Sequence, residues 1–281
     1  MTNYGSRRFV NIFMFCASLL SVVVVLVPLF LVLFFIVSKG ASSLNWSFFT
    51  ELPRPVGEPG GGMGNGIVGT LSLIGLACLI GVPLGIFGGI YLSEFGKGRF
   101  ALVVRFATDI LNGTPSIVIG IFAYTLVVLP MGHFSALAGG VALGVLMIPT
   151  VIRTTEEMMK LVPSALREGA LALGVSYSQT LIHVILKTAR AGIVTGILLA
   201  VARIAGETAP LLFTALGNQF WSTSLREPIA ALPLQIFTYA ISPFEEWQKQ
   251  AWAGALVLIG IVLLLNIGCR FAINNRNMKR R

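Results

Sequence analysis

Six apolar stretches dominate this sequence, and helices of this length and composition can cross a lipid bilayer. They cover residues 12–37, 67–92, 100–130, 135–151, 191–217 and 252–271. A bilayer-spanning helix needs about 20 predominantly apolar residues. Helices also satisfy their backbone polar groups internally, which the hydrocarbon core requires. The sequence therefore predicts an all-α integral membrane protein with six transmembrane helices.

The charge content also indicates a membrane protein rather than a soluble one. Only 11% of the residues are charged and 56% are hydrophobic, with a mean hydropathy of +0.87. Soluble domains carry about 25% charged residues. A net charge of +9 would suit nucleic acid in a soluble protein, but here its distribution fits orientation in a membrane. We therefore expect lipid, and no nucleic acid, around this chain.

The distribution of Lys and Arg predicts the orientation. Fifteen of these 20 residues lie at the termini and between spans two and three or four and five, whereas four lie in the opposite segments. Positive residues accumulate on the cytoplasmic side, so both termini are expected in the cytoplasm. Residues 1–66 then form a cytoplasmic tail, the first helix and an external loop. Residues 67–272 form a five-helix transmembrane domain with a cytoplasmic loop at 152–190, and 273–281 a basic tail.

The chain carries no recognisable catalytic constellation. Gly96-Lys97-Gly98 lacks the hydroxyl residue and the upstream glycine spacing of a phosphate-binding loop. The three cysteines lie in apolar runs at unrelated spacing, and the two histidines are far apart. We therefore expect no catalytic residue, no metal and no cofactor in this chain.

The loop at 152–190 has the pattern of two short helices. Pro163 suits a first helical position, and Gly174 suits the position after a helix end. Ser176-x-x-Gln179 is a capping-box pattern that starts a second helix. The first helix is amphipathic, with Leu166 and Ala170 on one face. It could lie on the membrane surface or dock into a groove on a cytoplasmic partner, and periodicity does not separate these interpretations.

The loop resembles the EAA loop of type I ABC importer permeases. It reads Glu168-Gly169-Ala170, three residues, Gly174, nine residues, and Val184-x-Leu186. Gly169 replaces the first alanine of that motif, Val184 its isoleucine and Lys187 its proline. The resemblance implies a type I importer fold and a coupling helix, containing Glu168, Gly169, Ala170 and Gly174, that sits in a cleft of an ATPase subunit. ATP and magnesium would bind to that ATPase.

The fifth apolar stretch carries charge inside the membrane. Gly192, Gly196, Ala200, Arg203 and Glu207 fall on one face of a helix at 3.6 residues per turn. The glycines allow close packing, and Arg203 and Glu207, one turn apart, are able to pair. Pro210 cannot donate a hydrogen bond to Gly206, so a bend beside Glu207 is expected.

Two interpretations of Arg203 and Glu207 remain open. An arginine at mid-membrane costs about 3 kcal/mol on insertion scales, so it must face protein or water. The pair could be structural, or it could belong to a solute path. The planar guanidinium suits a tetrahedral oxyanion. A carboxylate can accept a hydrogen bond from a P–OH group but repels a bare dianion, which favours a protonated anion.

Three segments resemble the phosphate permeases within this family. They are 203–213 (RIAGETAPLLF), 111–118 (LNGTPSIV) and 250–258 (QAWAGALVL). The resemblance implies a substrate path containing Arg203, Glu207 and Thr208. It also implies a bacterial or archaeal cytoplasmic membrane and three kinds of partner: a homologous permease subunit, an ATPase dimer and an extracytoplasmic phosphate-binding protein.

Two other functions are alternatives. A permease for sulfate, molybdate or another oxyanion would share the EAA loop. A secondary transporter or channel would work without an ATPase and should show paired inverted repeats with broken midplane helices, a pairing not evident in this sequence.

Overall fold

The computed structural model describes residues 4–55, 58 and 60–278, and most of them are helical. In chain order the helices are α1 (Tyr4–Gly40), α2 (Trp46–Thr50), α3 (Gly64–Ile90), α4 (Arg99–Gly113), α5 (Ser116–Ala123), α6 (Leu129–Met131), α7 (Ala136–Lys160), α8 (Ser164–Ala172), α9 (Tyr177–Gln179), α10 (Leu186–Ala205), α11 (Ala209–Leu212), α12 (Leu232–Ala240) and α13 (Glu245–Met278). A 3-10 turn follows α1 (Ala41–Ser43), and π-helical turns follow α3 (Tyr91–Phe95), α5 (Tyr124–Val128) and α9 (Thr180–Ile185). The predicted all-α class is confirmed.

Five helical segments among the described residues are long and apolar enough to cross a membrane. They are Arg7–Ser43, Gly64–Phe95, Ala136–Lys160, Tyr177–Ala205 and Glu245–Phe271. A bent pair, Arg99–Gly113 and Ser116–Met131, makes a sixth span when the two helices are taken together. The chain is therefore a multi-pass membrane protein.

The bend between α4 and α5 lies at Thr114-Pro115, inside the third apolar stretch. The two helices meet at an angle of 107°. Thr114, which precedes Pro115, has an extended backbone with φ −73° and ψ 132°. A proline disfavours helical geometry in the preceding residue and donates no backbone hydrogen bond, so the helix ends there.

The core lies between α3 and α7. Gly81, Gly85 and Gly89 recur along α3, and a Cβ atom on Gly85 would stand 2.5 Å from the Cβ of Val151. Because these positions have no side chain, the backbones of the two helices approach closely. Leu73, Leu143 and Val151 are buried in one core cluster between the two helices. The two helices thus form the rigid centre of the molecule.

The fifth span differs from its predicted range of 191–217. The helical segment runs from Tyr177 to Ala205. It starts earlier because Ser176 caps it, and because Lys187, unlike the family's proline, can donate a helical backbone hydrogen bond. It ends earlier because the chain leaves the helix at Gly206, ahead of Pro210. The prediction followed hydropathy, which stays high well beyond the break.

Two sets of elements lie at opposite ends of α3. At its start, Gly64 lies against Phe49 and Trp221, and the side chain of Gln250 donates to the carbonyl oxygen of Gly60. At its end lie the start of α4, the end of α7, and helices α8 and α9. The loop at 152–190 therefore lies at one end of the helical bundle.

Candidate functional site

Helix α8 projects from the bundle with little of its surface covered. None of its residues is buried, and Leu166 and Leu171 are exposed. Leu173, the residue that follows α8, is 85% exposed. No heavy atom outside the immediate chain lies within 4 Å of a Cβ placed on Gly169. An amphipathic helix with its apolar side chains exposed needs a membrane surface or a protein partner to cover them.

A tight turn joins α8 to the next helix. Gly174 has φ +79°, a left-handed conformation that glycine adopts without strain. The hydroxyl of Ser176 then accepts a hydrogen bond from the backbone N–H of Gln179 at 3.4 Å. The helix continues from α9 through the π-helical turn into α10, so α8 is linked by a short connection to the fifth span.

Glu94 attaches α8 to the transmembrane bundle. Its buried carboxylate accepts hydrogen bonds from both terminal nitrogens of Arg167 on α8, one of them at 2.8 Å. The hydroxyl of Tyr177 donates to the same carboxylate at 2.5 Å. The hydrogen bond with Glu94 raises the pKa of the Arg167 guanidinium above its ordinary value. The sequence did not indicate a role for Glu94, since its only signal there is a lone carboxylate directly after an apolar span.

A second buried carboxylate, Glu156 of α7, forms ion pairs at the same end of the bundle. Its Oε1 atom accepts from Nε of Arg105 at 2.8 Å and from Nζ of Lys160 at 2.5 Å. Arg105 also donates to the carbonyl oxygens of Leu92 at 2.9 Å and Gly96 at 3.3 Å. Carbonyl groups at a helix end lack helical partners. Arg105 therefore caps the end of α3 while its charge is balanced by α7.

Arg203 lies at the last turn of α10. Its side chain is exposed, and Glu207 and Thr208 beside it are partly buried. Neighbouring Ile204 packs in the core cluster that contains Leu73 and Leu143, so this turn lies at the level of the transmembrane core. The end of α10 therefore presents a guanidinium at a depth where charge is costly.

Arg203 and Glu207, which the sequence places one turn apart and able to pair, form no ion pair with each other in the structure. Among the side chains that the structure describes at residues 60–271, none forms an ion pair with Arg203 or Glu207. The pairing required both residues on one continuous helix. Instead α10 ends at Ala205, and the short helix α11 begins at Ala209. Glu207 thus lies in the connection between two helices.

Helix α11 is held by a close contact with α5. Pro210 is buried, and a Cβ atom on Gly120 would stand 2.6 Å from its Cα atom. The hydroxyl of Thr214 donates to the Pro210 carbonyl oxygen at 2.7 Å. In contrast, a Cβ on Gly206 would meet no atom within 4 Å. The break between α10 and α11 is therefore closely packed at Pro210, whereas Gly206 has free space beside its Cα atom.

The two glycines earlier in α10 lie against α7. A Cβ on Gly196 would stand 2.5 Å from the Cβ of Thr154, and one on Gly192 would stand 2.6 Å from the Cγ of Met158. The helix that carries Arg203 is thus packed closely on α7 along its first half. Its last turn adjoins a groove of about 550 Å³ on the α13 side, lined by residues that include Ala202, Gly206, Leu258, Val262, Asn266 and Arg270.

Taken together, these features describe a multi-pass helical membrane protein with an exposed helix at one end and, in its apolar part, a guanidinium that has no ion-pair partner among the described side chains. Residues 81–274 match the family model described as "Binding-protein-dependent transport system inner membrane component". The chain belongs to this family of ABC transporter permeases, which are transport subunits and not enzymes.

Relatives with curated names narrow the class further. The chain is 55% identical to "Phosphate transport system permease protein PstA" of Yersinia pestis over 240 residues, covering 85% of this chain and 81% of the relative. It is 48% identical to the protein of the same name from Haemophilus influenzae, covering 94% of both chains. This chain is thus similar to PstA proteins along almost all of its length.

Solved structures agree at the level of the fold. A structure titled "Inward facing conformations of the MetNI methionine ABC transporter" superimposes with a TM-score of 0.56 at 17% identity, covering 75% of this chain and 94% of that one. The predicted type I importer permease fold is confirmed.

Proposed function

We infer that this chain is a permease subunit of an ATP-driven phosphate importer. Its relatives are named as phosphate transport permeases. The structural observation that carries the inference is the exposed guanidinium of Arg203, for which the described side chains at residues 60–271 supply no ion-pair partner and which stands in a last turn of α10 that is otherwise apolar. A charge maintained at that depth is expected to serve a passing anion.

Arg203, Glu207 and Thr208 form the polar part of the substrate path. The guanidinium of Arg203 donates to two phosphate oxygens, as its planar geometry allows. Glu207 accepts a hydrogen bond from a P–OH group, and the hydroxyl of Thr208 donates to a third oxygen. Because Glu207 is not engaged by Arg203, both groups are free to contact the anion. Gly206 and Pro210 lie at the break between α10 and α11, which keeps Glu207 off the helix that carries Arg203.

Helix α8 couples this path to ATP hydrolysis. Glu168, Gly169, Ala170 and Gly174 lie in or next to a helix whose surface is uncovered. The exposed side chains of Leu166 and Leu173 suit insertion into a hydrophobic groove of an ATPase subunit. Closure of the ATPase then displaces α8. ATP and magnesium bind to the ATPase, and this chain holds no cofactor of its own.

The working complex contains four kinds of subunit. A permease of this class functions with a second permease, an ATPase and a binding protein. We assign these roles to a homologous PstC-like permease, a PstB-like ATPase dimer and a PstS-like extracytoplasmic phosphate-binding protein. The transmembrane domain at 67–272 carries the path, with both termini on the cytoplasmic side of a bacterial or archaeal cytoplasmic membrane.

Reconstitution tests this function. The complete complex is placed in liposomes with ATP inside, and uptake of radiolabelled phosphate is followed with and without excess sulfate. Arg203→Ala is expected to abolish uptake while the complex still assembles, and Arg226→Ala, which removes an exposed arginine between α11 and α12, serves as the control. Loss of assembly in Arg203→Ala would assign the arginine a structural role. Equal competition by sulfate would point to a general oxyanion permease.

A further inference from the structure

The π-helical turn Tyr91–Phe95 at the end of α3 meets both helices of the loop at 152–190. Within this turn the carboxylate of Glu94 is buried, and both of its oxygens are bound by Arg167 of α8. The hydroxyl of Tyr177, at the start of α9, binds the same carboxylate at 2.5 Å. The ring of Phe95 packs edge-on against the ring of Tyr177, with 6.1 Å between centroids. Glu94 therefore holds α8 and α9 at once.

This contact is the hydrogen-bonded attachment of α8 to the end of α3, while α8 also packs against the π-helical turn Thr180–Ile185 of the fifth span. In the part of the chain that the structure describes, the hydrogen bonds that tie an α8 side chain to a transmembrane helix are those of Arg167. No residue of α8 is buried. A bidentate arginine–carboxylate contact fixes orientation as well as distance, because two parallel hydrogen bonds resist rotation. A displacement of α8 thus acts on Glu94 directly.

The end of α3 is in turn connected firmly to the rest of the bundle. Arg105 binds the carbonyl oxygens of Leu92 and Gly96, which lie on either side of Glu94, and its guanidinium is paired with Glu156 of α7. Nearer the middle of α3, Gly85 packs closely against Val151 of α7. Packed elements of this kind move as bodies rather than deforming continuously. Movement of the π-helical turn therefore moves α3 and α7 together.

We propose that Glu94, held by Arg167 and Tyr177, is the link that transmits displacement of α8 to helices α3 and α7. This inference rests on the proposed function, in which an ATPase displaces α8. The three residues are positioning residues, because they touch neither the phosphate nor the nucleotide. The competing route runs along the chain from α9 into α10, and it would need no contact with Glu94.

A paired neutral substitution tests the link without leaving a buried charge alone. Glu94→Gln with Arg167→Gln removes both charges, whereas either change alone leaves an uncompensated partner. In the reconstituted complex, ATP hydrolysis and phosphate uptake are measured on the same liposomes. We expect hydrolysis to persist and uptake per ATP to fall about fivefold, within the usual range of coupling between sites. Tyr177→Phe, which removes one hydrogen bond, is expected to lower the ratio by a smaller factor.

Two further variants give the experiment its controls. Arg153→Gln with Glu157→Gln removes an exposed ion pair within α7, where Nε and Oε1 are 2.8 Å apart, together with the 3.8 Å contact of Arg153 with the exposed Asp109, and should leave uptake per ATP unchanged. The exchange Glu94→Arg with Arg167→Glu restores opposite charges and is expected to recover part of the ratio. If the neutral pair fails to assemble, the exchanged pair decides: assembly with a partly recovered ratio supports the link, and failure to assemble overturns it.

The outcomes separate this inference from the proposed function. A wild-type complex that hydrolyses ATP without phosphate uptake overturns the proposed function and the premise of the link with it. If the wild-type complex transports phosphate and the neutral pair transports with the same uptake per ATP, only the link is overturned. A proportional loss of hydrolysis and uptake would show that Glu94 supports docking of the ATPase, which also overturns the link.

Discussion

Nε of Arg105 on α4 lies 2.8 Å from Oε1 of Glu156 on α7, and the carboxylate is almost wholly buried. Through its other nitrogens the same arginine caps the end of α3. One side chain therefore joins three helices at the end of the bundle that carries α8. Because buried charges are tolerated only when they are paired, the loss of either partner should destabilise the contacts among all three helices.

Glu156→Leu should destabilise the protein by about 2 kcal/mol, since it leaves the partly buried Arg105 without its counter-charge. Thermal unfolding of the purified chain in detergent measures this loss. The control is Glu157→Leu, the next residue along α7, whose side chain is 53% exposed and pairs with the exposed Arg153. Equal destabilisation by the two variants would show that the Arg105 contact contributes little.

Gly85→Ala should weaken the contact of α3 with α7. The new Cβ atom would stand 2.5 Å from the Cβ of Val151, so the helices must separate or shift. Overpacking of this kind costs about 1–3 kcal/mol, which a lower unfolding temperature would reveal. Gly75→Ala is a matched control on the same helix, because its Cβ meets no atom within 4 Å. Similar unfolding temperatures for both variants would contradict the close packing.

Gly174→Ala should lower phosphate uptake per ATP, because the turn after α8 has φ +79° and side chains disfavour that conformation. The strain distorts the angle at which α8 leaves the bundle. Gly132→Ala provides the matched control, with φ +75° and equally open surroundings. Both variants should lose about 1 kcal/mol of stability, and only Gly174→Ala should change the coupling. Unchanged coupling in Gly174→Ala would argue against α8 as the element that the ATPase moves.

Glu207→Gln should reduce the preference for phosphate over sulfate. Sulfate carries no proton at neutral pH, so a carboxylate repels it while accepting a hydrogen bond from protonated phosphate. Replacement by the neutral amide removes the repulsion, and sulfate should then compete about tenfold better for uptake. Glu245→Gln, a change at a carboxylate that is 87% exposed, is the control. Competition that stays at the wild-type level would exclude Glu207 from the path.

Features that depend on neighbouring residues were predictable from the sequence. Pro163 and Gly174 bracket α8, Ser176 starts the next helix, and Thr114-Pro115 breaks the third span. In each case the local backbone preference of one residue type decides the outcome. The fifth span was predicted poorly because hydropathy continues past Gly206, although Pro210 indicated a bend.

The two buried carboxylates were not predictable in the same way. Glu94 is separated from Arg167 by 73 residues, and Glu156 from Arg105 by 51. In the sequence each glutamate resembles an ordinary charged residue near a membrane surface. Each carboxylate pairs with the basic residue that the fold places next to it. That placement depends on the packing of α3 against α7 and on the bend before α5. No local sequence pattern predicts a contact between segments so far apart in the chain.

The sequence by itself determined that this chain is helical, spans a membrane and carries an EAA-type loop, because length, hydropathy and capping act over a few residues. Only the tertiary structure decided which charged residues form ion pairs. It showed that Arg203 and Glu207 do not pair, since α10 ends between them, and that Glu94 and Glu156 do find partners. Charge pairing in a low-dielectric interior depends on distances of a few ångströms between distant segments, and folding alone sets those distances.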